Sequence, residues 1–336
     1  MNKGEYRQMD QDELQELFLQ AVRGPRKEHN TFFSSFKYVH DVLYGDPSQG
    51  VQSGLQLLNS CRSIDSEAYD EIHKGSPYYW LGIGAFRAND HELAAFFFDA
   101  AVSEDIRAGA DPLDNPTPAL RFIMIEGEPE EQAARSLVRM AQARVEELLG
   151  DYNSRPGAPG DHNHLSIEDL RTHFLSTAVS ASGSRWRSLA TAFISYSLEW
   201  DYRNMLIDIR PGPGTSEPFF LHLFKGCVLF ESLLKANPTV QLPSGAHTLR
   251  YVLRHLSDQL GIPDNLQVGN TTLNQTVNEL DAADRSIVTA IETAAKVRNT
   301  IGHDIGWVVA LDKITYSRLF RMISASCLHS IATLYR

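Results

Sequence analysis

One property limits this chain more than any other: its apolar residues recur at spacings of three and four from end to end, and almost never at two. The pattern runs through "DELQELFLQAV", "TFFSSFKYVHDVLY", "GVQSGLQLLNSC", "YYWLGIGAFRA", "HELAAFFFDAAV" and "EEQAARSLVRMAQARVEELL". That is the period of helices with one buried face. The one β-like segment, "WVVAL", is too isolated to make a sheet. The sequence therefore predicts an all-α fold.

Two stretches interrupt the pattern. "DYNSRPGAPGDHNH" (151–164) is dense in Gly, Pro, Asn and Asp and reads as a linker, and "RPGPGTSEP" (210–218) reads as a second break. They divide the chain into a helical domain over 1–150, the linker 151–164, connecting helices over 165–210 and a helical bundle over 211–336. "IPDNLQVGNTTLNQT" (262–276) reads as a long polar loop inside that bundle.

Charge narrows the choice of partners. The net charge of the 336 residues is −11, which argues against coating nucleic acid non-specifically. The imbalance lies in residues 1–184, where 16 Lys+Arg face 29 Asp+Glu. Residues 185–336 hold 15 basic and 13 acidic side chains, so this part tolerates a polyanion that the first part repels. With 43% apolar and 22% charged residues the composition is that of a soluble globular protein. No apolar run approaches the ~20 residues of a membrane span, and the N-terminus has no apolar leader segment. Cys61, Cys227 and Cys327 lie far apart in apolar helical patterns and read as reduced core residues, which points to the cytoplasm.

Between Tyr78 and Ala101 the chain resembles a tetratricopeptide repeat. Tyr78, Leu81 and Gly82 fit the first helix of that family, and Ala94, Phe98 and Ala101 the second. Ala85 stands where the family has an aromatic residue and Ile106 where it has proline, and no second clear repeat follows. The resemblance implies a repeat-like layer whose concave face takes a protein partner.

The chemistry-bearing candidates are few. "DHNHLSIED" offers Asp161, His162 and His164 as cation ligands, but a Gly/Pro linker lacks the rigid support a zinc site needs, and no metal or other cofactor is expected. "GIGAFR" carries its glycines within a helical pattern, so it is no phosphate loop. "KVRNTIGHDIGW" (296–307) is the strongest candidate. It ends a helix whose apolar face is Ile287, Ile291, Ala294 and Val297, and it brings Arg298, Asn299 and His303 to the helix end. Five positions along an unbroken helix turn the direction by roughly 140°, so a break at Gly302 is needed to swing His303 back towards Arg298.

This Arg-Asn-x3-His pattern resembles the signature of HEPN domains, helical bundles of nucleotide-binding and ribonuclease proteins. Arg23 with His29, Arg155 with His162 and Arg250 with His255 satisfy the same loose spacing. Only Arg298 combines a following Asn, a preceding buried helix and a glycine-containing turn. Four helical patterns between about 216 and 336 match the bundle expected of the family. The resemblance implies a metal-independent endoribonuclease, of the kind used as a toxin or defence effector, that works as a homodimer with two motifs across one cleft. It assigns Arg298 to phosphate charge, His303 to proton transfer and Asn299 to a supporting role, at phosphate or at His303. Glu231, on the first helix of the bundle, is placed to face the site but reads equally as a solvated helix residue, and stays outside the catalytic set. The alternative implied by the same family is a non-catalytic adaptor that binds a nucleotide or dimerises.

Overall fold

The computed structural model describes residues 11–109, 114, 116–127, 132–157, 164–180, 184–209, 216–237, 242–243, 248–269, 272–280, 283–302 and 311–335. Among them the fold is all-α, without a strand. No helix among the described residues is long and apolar enough to cross a membrane. "WVVAL" lies outside the described residues except for Leu311. The chain forms two compact units, residues 1–139 with 179–184, and residues 140–178 with 185–336.

The first unit contains α1 (Gln11–Arg23), α2 (Arg26–Ser34), α3 (Lys37–Tyr44), α4 (Pro47–Ile64), α5 (Ser66–Glu71), α6 (Gly75–Arg87), α7 (His91–Arg107) and α8 (Pro118–Ile123), with the start of α9 (Gln132–Asn153). The run "TFFSSFKYVHDVLY" is two helices, because the chain extends at Phe36 between α2 and α3. Short polar side chains start many helices. Asp46 accepts from the backbone N–H groups of Ser48 and Gln49 at α4, and Asp90 from that of Leu93 at α7, satisfying donors that a helix start leaves open.

Helices α6 and α7 form a hairpin turned by Ala88, Asn89 and Asp90, with Asn89 in the left-handed region at φ 61°. Asparagine tolerates that conformation better than most side chains. Gly82 lets the two helices approach: a Cβ there would lie 2.8 Å from the Phe98 ring. Phe98 stacks at a tilt on Phe122 of α8, ring centroids 4.5 Å apart, and is fully buried with Leu81, Ala94 and Ala101. Cys61 is a free, buried thiol of this core.

The second unit contains the rest of α9, α10 (Ile167–Asp169), a π-helical turn (Leu170–Leu175), α11 (Ser176–Val179, its last residue in the first unit) and α12 (Ser184–Ile209, its first residue in the first unit). It continues with α13 (Glu217–Ala236), α14 (Leu249–His255), α15 (Ser257–Leu260), α16 (Leu273–Glu279), α17 (Ile287–Ile301) and α18 (Lys313–Leu334). Helices α13, α17 and α18 pack on one another and form its centre. Gly226 brings α13 against α12, where a Cβ would meet the Tyr196 ring at 2.4 Å. Within this core His222 is fully enclosed: Nε2 donates to the Tyr196 carbonyl at 2.8 Å, and Nδ1 accepts from the Tyr316 hydroxyl at 2.7 Å. Burial pushes its pKa down to about 3, so the imidazole is neutral. Cys227 and Cys327 are buried here as free thiols.

Two stretches whose composition predicts irregular chain are partly helical. The linker expected over 151–164 begins inside α9, and Asp151 and Arg155 are buried against each other, Arg155 Nη2 donating to Asp151 Oδ2 at 2.6 Å. A Gly/Pro-rich string suggests a solvated arginine, but a carboxylate four residues earlier gives this one a partner. The polar loop expected over 262–276 turns into α16 at its end, started by a capping box in which Thr272 and Gln275 satisfy each other's backbone N–H.

Candidate functional site at the end of α17

The site is built at the last turn of α17. Ser286 starts this helix by accepting from the Thr289 N–H, and Ile287, Ile291, Ala294 and Val297 are buried along it with Ala290, Ala295 and Ile301. That apolar face fixes the rotation of the helix on α13 and α18. Arg298 and Asn299 are thereby left partly exposed at its edge. The helix ends at Ile301. Gly302 keeps right-handed geometry, φ −68°, and its N–H still bonds the Arg298 carbonyl at 3.1 Å. A cation in the last turn also suits the negative end of the helix dipole.

Arg298 is held from two sides. Its Nε donates to Oε2 of Glu231, on α13, at 2.8 Å, and its Nη1 donates to Oδ1 of Asn299 at 3.4 Å. Glu231 is itself buried and takes a second cation, Lys235 one turn further along α13, on its other oxygen. Two positive groups thus share one carboxylate, and the cluster keeps a net positive charge. The Arg298 side chain is 31% exposed and its Nη2 makes no hydrogen bond among the described residues. A guanidinium locked at Nε with a free outer edge is arranged to receive an oxyanion from solvent.

Asn299 faces the other way as well. Its Nδ2 donates to the Val268 carbonyl at 3.3 Å. The segment before α16 is further tied to α17 by the Gln267 N–H, which donates to Glu292 Oε1 at 2.7 Å. Lys296 pairs with Glu279 of α16 at 2.8 Å. Asn299 therefore orients Arg298 and anchors a neighbouring wall with the two ends of one amide.

Of the three residues singled out by the sequence, Arg298 and Asn299 are in direct contact, and His303 lies outside the described residues. Glu231 is no solvated helix residue: it is 7% exposed and carries the central ion pair. The signal was present in "CVLFESLLK", where Glu231 shares a helix face with Cys227 and Leu234, both buried. A carboxylate on an apolar stripe needs a partner.

The lookalike motifs go elsewhere. His29 accepts from the His73 backbone N–H, and Arg155 is spent on Asp151. Arg250 and His255 lie exposed on α14. His164 is exposed, and Asp161 and His162 lie outside the described residues. No family model matches the chain, and no curated protein and no solved structure matches it either.

Proposed function

We propose that the chain is a metal-independent endoribonuclease of HEPN type whose second unit cleaves RNA and whose first unit engages a protein partner that controls it. The observation that carries this reading is the posture of Arg298: positioned by Glu231 and Asn299, yet with donors left over at a partly exposed edge. An arginine that only closed a helix end would spend its donors on the last carbonyls. Arg298 spends them on side chains that aim it.

In this mechanism the ribose 2′-OH attacks the adjacent phosphorus, its proton passing to a base. The 5′-oxygen leaves with a proton, giving a 2′,3′-cyclic phosphate and a 5′-hydroxyl. Arg298 neutralises the charge that accumulates on the phosphorane oxygens. His303 supplies proton transfer, the task an imidazole suits near neutral pH. One such set provides a single imidazole for two proton transfers, and a homodimer that pairs two sites supplies the second.

The test is cleavage of a mixed RNA pool in excess EDTA, with end-group analysis. Losing a general acid/base costs about 10²–10⁴-fold, and losing a charge donor about 10²–10³-fold, so His303→Ala and Arg298→Ala each nearly silence the protein. His255→Ala leaves cleavage intact. Activity that disappears with EDTA, or that survives in Arg298→Ala, overturns the reading and returns the chain to the class of nucleotide-binding adaptors.

A further inference from the structure

Beside the Arg298 site lies a cavity of about 250 Å³ lined by Arg250, Leu253 and Arg254 of α14 and by Asp264, Asn265, Leu266 and Val268. Arg250 and Arg254 are one helical turn apart on an exposed face. Neither makes an ion pair or a side-chain hydrogen bond among the described residues. Like charges at this spacing repel, by about 0.2–0.5 kcal/mol on an isolated helix. Two guanidinium groups line this concavity against the single carboxylate of Asp264, so the lining keeps a net positive charge that suits an anion.

The lining is mixed in a telling way. Leu253, Leu266 and Val268 are buried and give an apolar floor. Asp264 and Asn265 give exposed acceptors, unsuited to phosphate but suited to ribose hydroxyls and base amino groups. The volume sits just below the lower end of small-molecule sites, ~300 Å³, so it takes a small group rather than a drug-sized ligand.

The cavity is also wired to Arg298. The carbonyl of Val268, a lining residue, accepts from Asn299 Nδ2, and Asn299 Oδ1 accepts from Arg298 Nη1. Two hydrogen bonds through one amide connect the cavity wall to the guanidinium.

We propose that the Arg250–Arg254 cavity is a second phosphodiester subsite, which holds a single-stranded RNA by a backbone phosphate and its ribose next to the scissile phosphate at Arg298. The identity of the ligand rests on the nuclease reading above. The cavity supplies binding and register, and no group in it takes part in bond making.

The experiment uses the full chain and a fluorescent single-stranded oligonucleotide with 2′-O-methyl groups throughout, which cannot supply the attacking hydroxyl. Binding is followed by anisotropy across a salt series, beside cleavage of unmodified RNA in EDTA. Each phosphate contact to a single strand contributes about 0.7 to the slope of log Kd against log salt, so the Arg250→Gln/Arg254→Gln double variant loses about 1.4 of slope, and its Kd at 0.1 M salt rises on the order of tenfold. Arg250→Lys/Arg254→Lys restores most of the slope, because the charges return. Both arginines are exposed, so the melting temperature of either variant stays that of the parent. An unchanged Kd and slope in the glutamine variant, with cleavage still lost in Arg298→Ala, overturns the subsite and leaves the nuclease standing. Binding that depends on both arginines in a protein that cleaves nothing keeps the subsite and overturns the nuclease. A parent chain that does not bind the oligonucleotide overturns the subsite.

Discussion

Glu231 illustrates how one carboxylate sets the state of a site. It separates Arg298 from Lys235, and without its charge the two cations repel each other at the end of α17. Glu231→Gln keeps the size and one acceptor but not the charge. On the proposed function it slows RNA cleavage at least tenfold, comparable to losing part of a charge donor, with the substrate KM changed much less; an unchanged kcat would remove Glu231 from the positioning of Arg298. His222 gives a second test at this scale. The unfolded chain binds a proton at this imidazole near pH 6.5, whereas burial in the folded core pushes the pKa down to about 3. Between these values the unfolded state holds more protons, so the stability due to neutral His222 is complete above about 6.5 and is lost as the pH falls towards 3. Imidazole NMR should show His222 still neutral at pH 5, and urea unfolding should show stability dropping over the same window. Titration of His222 near 6.5 would contradict the enclosure between Tyr196 and Tyr316.

At the scale of elements, two glycines set helix approach where any larger side chain collides. Gly226→Ala drives a methyl group into the Tyr196 ring between α12 and α13, and Gly82→Ala drives one into Phe98 between α6 and α7. Overpacking of this kind costs about 1–3 kcal/mol. Chemical denaturation should show both losses, with the larger at Gly226, where the approach of 2.4 Å is the closer. The helices themselves were legible because their buried stripes are long: α12, α13, α17 and α18 fall where the apolar period puts them. What composition hides is local. Thr272 and Gln275 made a helix start out of a polar string, and Asp151 and Arg155 completed each other in a segment whose Gly and Pro content dominates its composition. In each case pairing between specific polar side chains, which composition averages away, decided the structure. The same holds for the site, where Arg298 and Asn299 stand out by motif, while Glu231 shows in the sequence as a carboxylate on an apolar stripe and its partner Arg298 only once α13 and α17 are side by side.

The whole molecule divides into two units, each with its own helices and buried aromatic residues. On the proposed function they differ in task. The strongly acidic first part repels phosphate and takes a protein, so residues 1–160 should bind RNA far more weakly than the full chain in a filter or anisotropy assay; equal affinity would contradict this. Pairing through residues 216–336 should give a dimer by sedimentation at micromolar concentration, and a monomer with full activity would exclude shared catalysis. The three cysteines report on both units without any engineering. Burial holds the Cys61 thiol in its neutral form, with a pKa pushed up to about 12, and pushes Cys227 and Cys327 up as well. Only a thiolate that meets solvent reacts with an alkylating reagent. A short pulse of such a reagent during denaturation therefore stamps a mass on Cys61 when the first unit opens and on Cys227 and Cys327 when the second does, and peptide mass spectrometry reads the order in which the two halves of the protein come apart.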